Sequence, residues 1–98
     1  MYRGTTPTFT FALDFEASTI DKLNIAMAQN GEVKISKSKS DCTLSGYTVS
    51  ITLTEAETLK LEEGTLSMQM RIGIGSDRLA SAIVTVPVET VLKEGALE

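Results

Sequence analysis

The feature of this sequence that most constrains its fold is an alternation of apolar and polar residues with a period of two. It is longest over 65–74, where five apolar side chains share one parity: Leu66, Met68, Met70, Ile72 and Ile74. A second run, over 8–15, places four more on one face: Phe9, Phe11, Leu13 and Phe15. Because successive side chains of a strand point to opposite faces, each run predicts a β-strand with one buried face.

A hairpin is predicted between two further alternating runs, 22–29 and 32–36. They are separated by Asn30 and Gly31. Both central residues of a type I′ turn need positive φ, which asparagine and glycine adopt more readily than other residues. We therefore expect a tight two-residue connection at this point.

The remaining segments complete a pattern of short elements. Alternation predicts a strand over 47–53 with Tyr47 facing inward, a short strand over 41–44, and a last strand over 80–88. Pro87 cannot donate a ladder hydrogen bond, so we expect it at an edge or near the strand end. Thr54 and Glu57 have the spacing of a capping box and predict one or two helical turns, ended by Gly64.

About seven short strands with frequent turn signals are typical of a sandwich. The chain is therefore predicted to be all-β, an immunoglobulin-like β-sandwich with one short helical crossover. Its 98 residues fit a single domain, 1–98. We expect Leu97 and Glu98 to be a cloning scar.

Charge and composition disfavour several classes of function. The formal net charge is −4, so binding of nucleic acid through a basic face is disfavoured. The sequence has no histidine, which removes the commonest proton-transfer residue and metal ligand. We therefore predict no enzymatic activity, no catalytic residues, no cofactor and no metal.

The lone Cys42 cannot form an internal disulfide and is expected to be a small, partly buried residue. No run of residues approaches the ~20 apolar residues that cross a bilayer, and no signal peptide is visible. No membrane partner is expected, and the predicted location is a virion or the bacterial cytoplasm.

Four polar residues are candidates for an interaction surface. Gln69 and Arg71 take the face opposite to the apolar stripe of the longest run, where they could contact a neighbouring strand or subunit. Lys37 and Lys39 lie in the polar stretch 36–40, which reads as an exposed loop or a ragged edge strand. Lysines in such a position discourage unwanted pairing between sheets.

Several strings resemble a known group of proteins. They are 3–8 (RGTTPT), 28–31 (AQNG), 53–58 (LTEAET), 69–71 (QMR) and 80–81 (AS). In this order and spacing the chain resembles small prophage-encoded immunoglobulin-like proteins of Gram-positive gut bacteria. These in turn resemble the N-terminal domain of phage baseplate upper proteins. The resemblance spans nearly the whole chain and implies a virion component or an accessory to one, with no active site to transfer.

Three hypotheses follow for function. The first is a structural module of a phage tail or baseplate, which binds other phage structural proteins or a second copy of itself. The second is a module that binds carbohydrate or a cell surface. Such a module would need an exposed aromatic platform, and Tyr2 and Tyr47 are the only tyrosines. The third, an enzyme, would need a pocket with convergent polar groups that the sequence does not indicate.

Overall fold

A computed structural model describes residues 1–93 and 95–96. The strands are β1 Thr8–Ala12, β2 Lys22–Gln29, β3 Glu32–Ser38, β4 Thr43–Ser45, β5 Thr48–Thr52, β6 Gly64–Ile74, β7 Asp77–Ala80 and β8 Val84–Val88. One α-helix, α1, covers Glu55–Leu59, and 3₁₀ turns cover Ala17–Thr19 and Lys39–Asp41. The predicted all-β sandwich with one short helix is thus confirmed. The expected cloning scar, Leu97 and Glu98, lies outside the described residues.

The strands form two antiparallel sheets. One has three strands in the order β1-β5-β4. In the other, β3 and β2 lie on one side of β6, and β7 and β8 share its far side. The long β6 is therefore the centre of the larger sheet, and both short strands end at the same edge.

The core lies between the inner faces of the two sheets, where alternate residues of each strand meet. From β2 and β6 it takes Leu23, Ile25, Met27, Leu66, Met68, Met70 and Ile72, and from β5 it takes Val49 and Ile51. The side chains of Phe9 and Phe11 are only half-buried, because β1 is an edge strand. Among the described residues, no helix has the length and apolar character needed to cross a membrane.

The hairpin between β2 and β3 forms as predicted. Asn30 and Gly31 have φ values of 53° and 77°, as a type I′ turn requires. Three residues further on, Lys34 is an extra residue in the ladder, between the pairs Ala28–Val33 and Met27–Ile35. This bulge turns Ile35 into the core at 5% exposure and leaves Val33 on the outer face at 58%.

Tyr47 was predicted to face inward, and that prediction is wrong. Its side chain is 56% exposed. The strand starts one residue later, at Thr48, so Tyr47 belongs to the two-residue turn that joins β4 to β5. Gly46 precedes it with φ of 54°, and the Tyr47 carbonyl accepts the Leu13 N–H. A turn residue is not bound by the alternation of the strand that follows it.

The capping box that begins α1 is confirmed, but its predicted end is wrong. The Thr54 hydroxyl accepts the Glu57 N–H, and the Glu57 carboxylate accepts the Thr54 N–H. The helix stops at Leu59, and Gly64 instead begins β6. The Glu62 backbone cannot continue the helix because the side-chain amide of Gln29 takes both its N–H and its carbonyl.

Candidate interaction surface on the open side of the sandwich

The final strand predicted over 80–88 forms only over Val84–Val88, as β8, and its first residue, Ala80, instead ends β7. Arg71 pairs with Ala80, and Met68 pairs with Val84, so four steps along the edge match three steps along β6. This register shift is a one-residue bulge. It separates β7, which the sequence did not predict, from β8.

Ser81 supplies the hydrogen-bond partners of β6 at the bulge. Its N–H donates to the Met70 carbonyl at 2.8 Å, and its hydroxyl Oγ accepts the Met70 N–H at 2.9 Å. The Ser81 carbonyl accepts a hydrogen bond from Nε2 of Gln69 at 3.0 Å. Ser81 thus satisfies both the N–H and the carbonyl of Met70 in β6, at the point where β7 and β8 separate.

The bulge also decides which side chains the edge presents. It places Val84, Val86 and Val88 on the inner face, opposite Met68 and Leu66. Val88 is buried, but Val84 remains 44% exposed and Leu79 of β7 46% exposed. Ile83, in the bulge itself, is 63% exposed. No charged residue occurs over 79–88, so β8 and the bulge before it are uncharged, whereas the start of β7 carries the exposed Asp77 and Arg78.

The segment Met1–Arg3 covers only the far end of β8. The Met1 ammonium donates to the Pro87 carbonyl, the Glu89 N–H to the Met1 carbonyl, and the Arg3 N–H to the Glu89 carbonyl. The backbone of Pro87 therefore points away from β6. Since direction alternates along a strand, the N–H and carbonyl of Thr85 point outward too. Within the described residues nothing pairs with them.

A second uncharged edge, that of β1, lies beside this one. A cavity of about 210 Å³ runs between the two, lined by Leu13, Asp14 and Phe15 after β1 and by Leu79 and Ser81 of the other sheet. The side chains of Leu13 and Phe15, on the β1 side of this cavity, are half-buried. We call this region the open side of the sandwich: the outer edges of β1, β7 and β8, with residues 13–15 and 81–83.

The opposite edge of the larger sheet, β3, is charged. The ammonium of Lys37 turns inward and pairs with the Glu57 carboxylate at 2.5 Å, which leaves the lysine side chain 13% exposed. Lys34 in the bulge contacts Glu32 at 3.5 Å. Inward-pointing charges and bulges both disfavour strand addition, so this edge is guarded.

The pair also shifts the titration of Glu57. Partial burial pushes its pKa up. The pKa of Glu57 is pushed down by hydrogen bonds from Lys37 and from the Thr54 N–H, and by the charge of Lys37. The net result is a pKa below the ordinary value of a glutamate. The ion pair is therefore part of the structure that joins β3 to α1.

The structure separates the four residues predicted as an interaction surface. Gln69 and Arg71 lie on the outer face of β6, where Gln69 braces Ser81 and Arg71 is exposed. Lys37 is turned inward on β3, and Lys39 is exposed on its 3₁₀ turn. None of the four lies on the open side. The sequence signal that could have indicated it is the absence of charge over 79–88.

Other candidate chemistry is dispersed. Cys42 is partly buried, as predicted, and burial, with the Asp41 charge, raises the pKa of its thiol. Tyr2 lies beside Glu89, near the start of β6, whereas Tyr47 lies at the other end of the sandwich, next to Leu13. The two exposed tyrosines thus form no shared platform. No group of three or more potential metal ligands occurs in the part of the chain that is described.

Comparisons with known proteins identified no relative of this chain. No family model, no curated protein and no solved structure matches this chain. The open side is therefore interpreted from its own geometry.

Proposed function

We propose that the chain is a non-catalytic assembly module of a phage tail or baseplate, which binds a neighbouring structural protein through its open side. The observation that carries the proposal is the contrast between the two edges of the larger sheet. The β3 edge is guarded by Lys34 and the inward-turned Lys37, whereas β8 and the bulge before it expose Ile83 and Val84 without a charge. An edge left in this state is a template for an added strand.

The unpaired backbone at Thr85 is the point where a partner strand would pair. Two hydrogen bonds to that residue would fix the partner's register, and the apolar side chains around it would supply affinity. Burying a side chain such as Ile83 is worth about 1.5–3 kcal/mol. The cavity lined by Leu13, Phe15 and Leu79 offers a position for one inserted apolar side chain.

The biological setting rests on the resemblance to prophage-encoded immunoglobulin-like proteins. In that setting the partner is another phage structural protein or a second copy of the chain. A non-catalytic role is supported by the dispersal of the polar groups: the ion pair of Lys37 and Glu57, the capping residues and Cys42 each serve local structure.

Two variants test the proposal. Ile83→Lys places a charge on the open side, and Val33→Lys places one on the guarded edge, where the original side chain is similarly exposed, at 58% against 63%. The chain is co-expressed with the proteins that its neighbouring genes encode, and complexes are measured by size-exclusion chromatography with light scattering. We expect the parent and Val33→Lys to form a complex or self-associate and Ile83→Lys to remain monomeric.

Two results would overturn the proposal. One is a parent chain that stays monomeric and binds none of the co-expressed proteins. The other is an Ile83→Lys variant that assembles as the parent does.

A further inference from the structure

The segment Met1–Arg3 runs parallel to β8 at the end of its outer edge. Tyr2 forms a parallel bridge with Glu89, the residue that follows β8. On either side of this bridge, the Glu89 N–H donates to the Met1 carbonyl at 2.7 Å, and the Arg3 N–H donates to the Glu89 carbonyl at 2.9 Å. These are the slanted bonds of a parallel ladder, so the segment sets a direction and a register on this edge.

The same segment is anchored at both of its ends. The Arg3 guanidinium donates to the carbonyls of Leu59 and Leu61, at 2.9 Å and 2.6 Å. The half-buried side chain of Met1 packs against the core, and the Met1 ammonium donates to the Pro87 carbonyl at 2.8 Å. Because the Pro87 carbonyl is already taken, a strand added to β8 has to end beside Met1.

The ladder reaches the unpaired groups of Thr85 when it is continued by its own two-residue repeat. The Met1 nitrogen donates to the Pro87 carbonyl and the Arg3 nitrogen to the Glu89 carbonyl, so the donors recur at every second residue. In a strand that continues this line, the second residue before Met1 donates to the Thr85 carbonyl, and the fourth accepts the Thr85 N–H. Four residues thus span the stretch of β8 that has no partner within the described residues.

The faces of this added strand follow from the alternation already present. Tyr2 points outward and is 52% exposed, whereas Met1 packs against the core. The same alternation turns the second and fourth residues before Met1 inward, beside Val86 and Val84. Val84 is 44% exposed and Val86 is half-buried, so both have apolar surface left to cover. Apolar residues fit the two inward positions, and polar residues fit the two beside Thr85 and Pro87.

From this register we infer that the unpaired stretch of β8 takes a short strand that runs parallel to β8, presents apolar side chains at alternate positions and ends beside Met1. The inference deepens the assembly role proposed above, and it rests on that role where it concerns the partner: a neighbouring structural protein contributes such a segment. Met1–Arg3 fixes where the partner's strand ends, and the bulge before Val84 limits it at the other end.

The experiment supplies the strand within the chain itself. Four residues, Val-Thr-Val-Thr, are fused in front of Met1, so that both valines fall on the inward positions and the Met1 amide replaces its ammonium as the donor to Pro87. The control extension, Thr-Val-Thr-Val, has the same length and composition but directs its valines outward. Amide hydrogen exchange is measured by NMR at Thr85, and slow exchange at Val86, whose backbone faces β6, verifies that each chain is folded.

We expect the Val-Thr-Val-Thr extension to slow exchange at Thr85 by about tenfold or more, and the control extension to change it by less than about threefold. The Val-Thr-Val-Thr chain should also lose the assembly that the parent shows, because its own extension fills the partner's place. If the parent assembles with nothing, the assembly proposal fails, and the exchange at Thr85 still decides what the edge accepts. Exchange that neither extension slows, exchange that both slow equally, or a protected chain that still assembles as the parent does would overturn the inference.

Discussion

Gln29 and Glu62 are joined by two reciprocal hydrogen bonds. Nε2 of Gln29 donates to the Glu62 carbonyl at 2.7 Å, and its Oε1 accepts the Glu62 N–H at 2.9 Å. The glutamine is 3% exposed. The last residue of β2 thus fixes the connection between α1 and β6, more than thirty residues further along the chain.

Replacing Gln29 by alanine is expected to be strongly destabilising. It leaves the part-buried N–H and carbonyl of Glu62 without partners and opens a cavity where the buried Gln29 side chain was, with an expected cost of about 2–4 kcal/mol. Urea denaturation measures the change in the free energy of unfolding. Gln69→Ala is the control, because Gln69 makes one hydrogen bond and is only half-buried, and it should cost about 1 kcal/mol or less. Equal losses in the two variants would contradict this role of Gln29.

The ion pair between Lys37 and Glu57 predicts a dependence of stability on acid pH. The pKa of Glu57 is lower in the folded chain than its ordinary value of 4.5. A lowered pKa contributes stability that is fully present above 4.5 and is lost as the pH falls through the folded-state value. For a pair near the surface the contribution is about 0.5–1 kcal/mol.

Glu57→Gln removes this contribution and keeps an oxygen that can cap Thr54. We expect its free energy of unfolding to lie below that of the parent at pH 7 and to approach it near pH 3. Glu32→Gln, which alters the exposed pair with Lys34, should leave the pH profile unchanged. A constant difference between parent and Glu57→Gln across this pH range would contradict the assignment.

Tyr47 and Ile51 have the same parity in the sequence but different positions in the structure. Tyr47 is 56% exposed and Ile51 is 1% exposed. Tyr47→Ala is therefore expected to change stability by less than about 0.5 kcal/mol, as at an ordinary surface position. Ile51→Ala should cost about 2–5 kcal/mol. Thermal and urea denaturation compare the two, and a large loss for Tyr47→Ala would show that the turn is placed wrongly.

The elements that sequence reasoning predicted well are those set by local chemistry. Asn30 and Gly31 determine their turn through their own backbone preferences. Thr54 and Glu57, three residues apart, form the capping box that begins α1. The alternation over 65–74 likewise identified the central strand and its buried face. Each of these signals lies within a few residues of the structure it determines.

The features that escaped prediction depend on partners distant in the sequence. The bulges at Lys34 and after Ala80 exist because of the register against β2 and β6, which no local pattern encodes. Lys37 is turned inward because Glu57 reaches it from α1. The outward direction of the Thr85 backbone could not be predicted because it follows from the register of β8 on β6 and from the hydrogen bond that the Met1 ammonium donates to the Pro87 carbonyl.

The exchange rate of the Thr85 amide hydrogen tests the assembly proposal most directly. In the isolated chain, NMR should show fast exchange at Thr85 and slow exchange at Val86, whose backbone faces β6. In the assembled state the Thr85 amide should become protected by at least tenfold, while the amides of β3 keep their rates. Unchanged exchange at Thr85 on assembly, or protection that appears at β3 instead, would contradict the account.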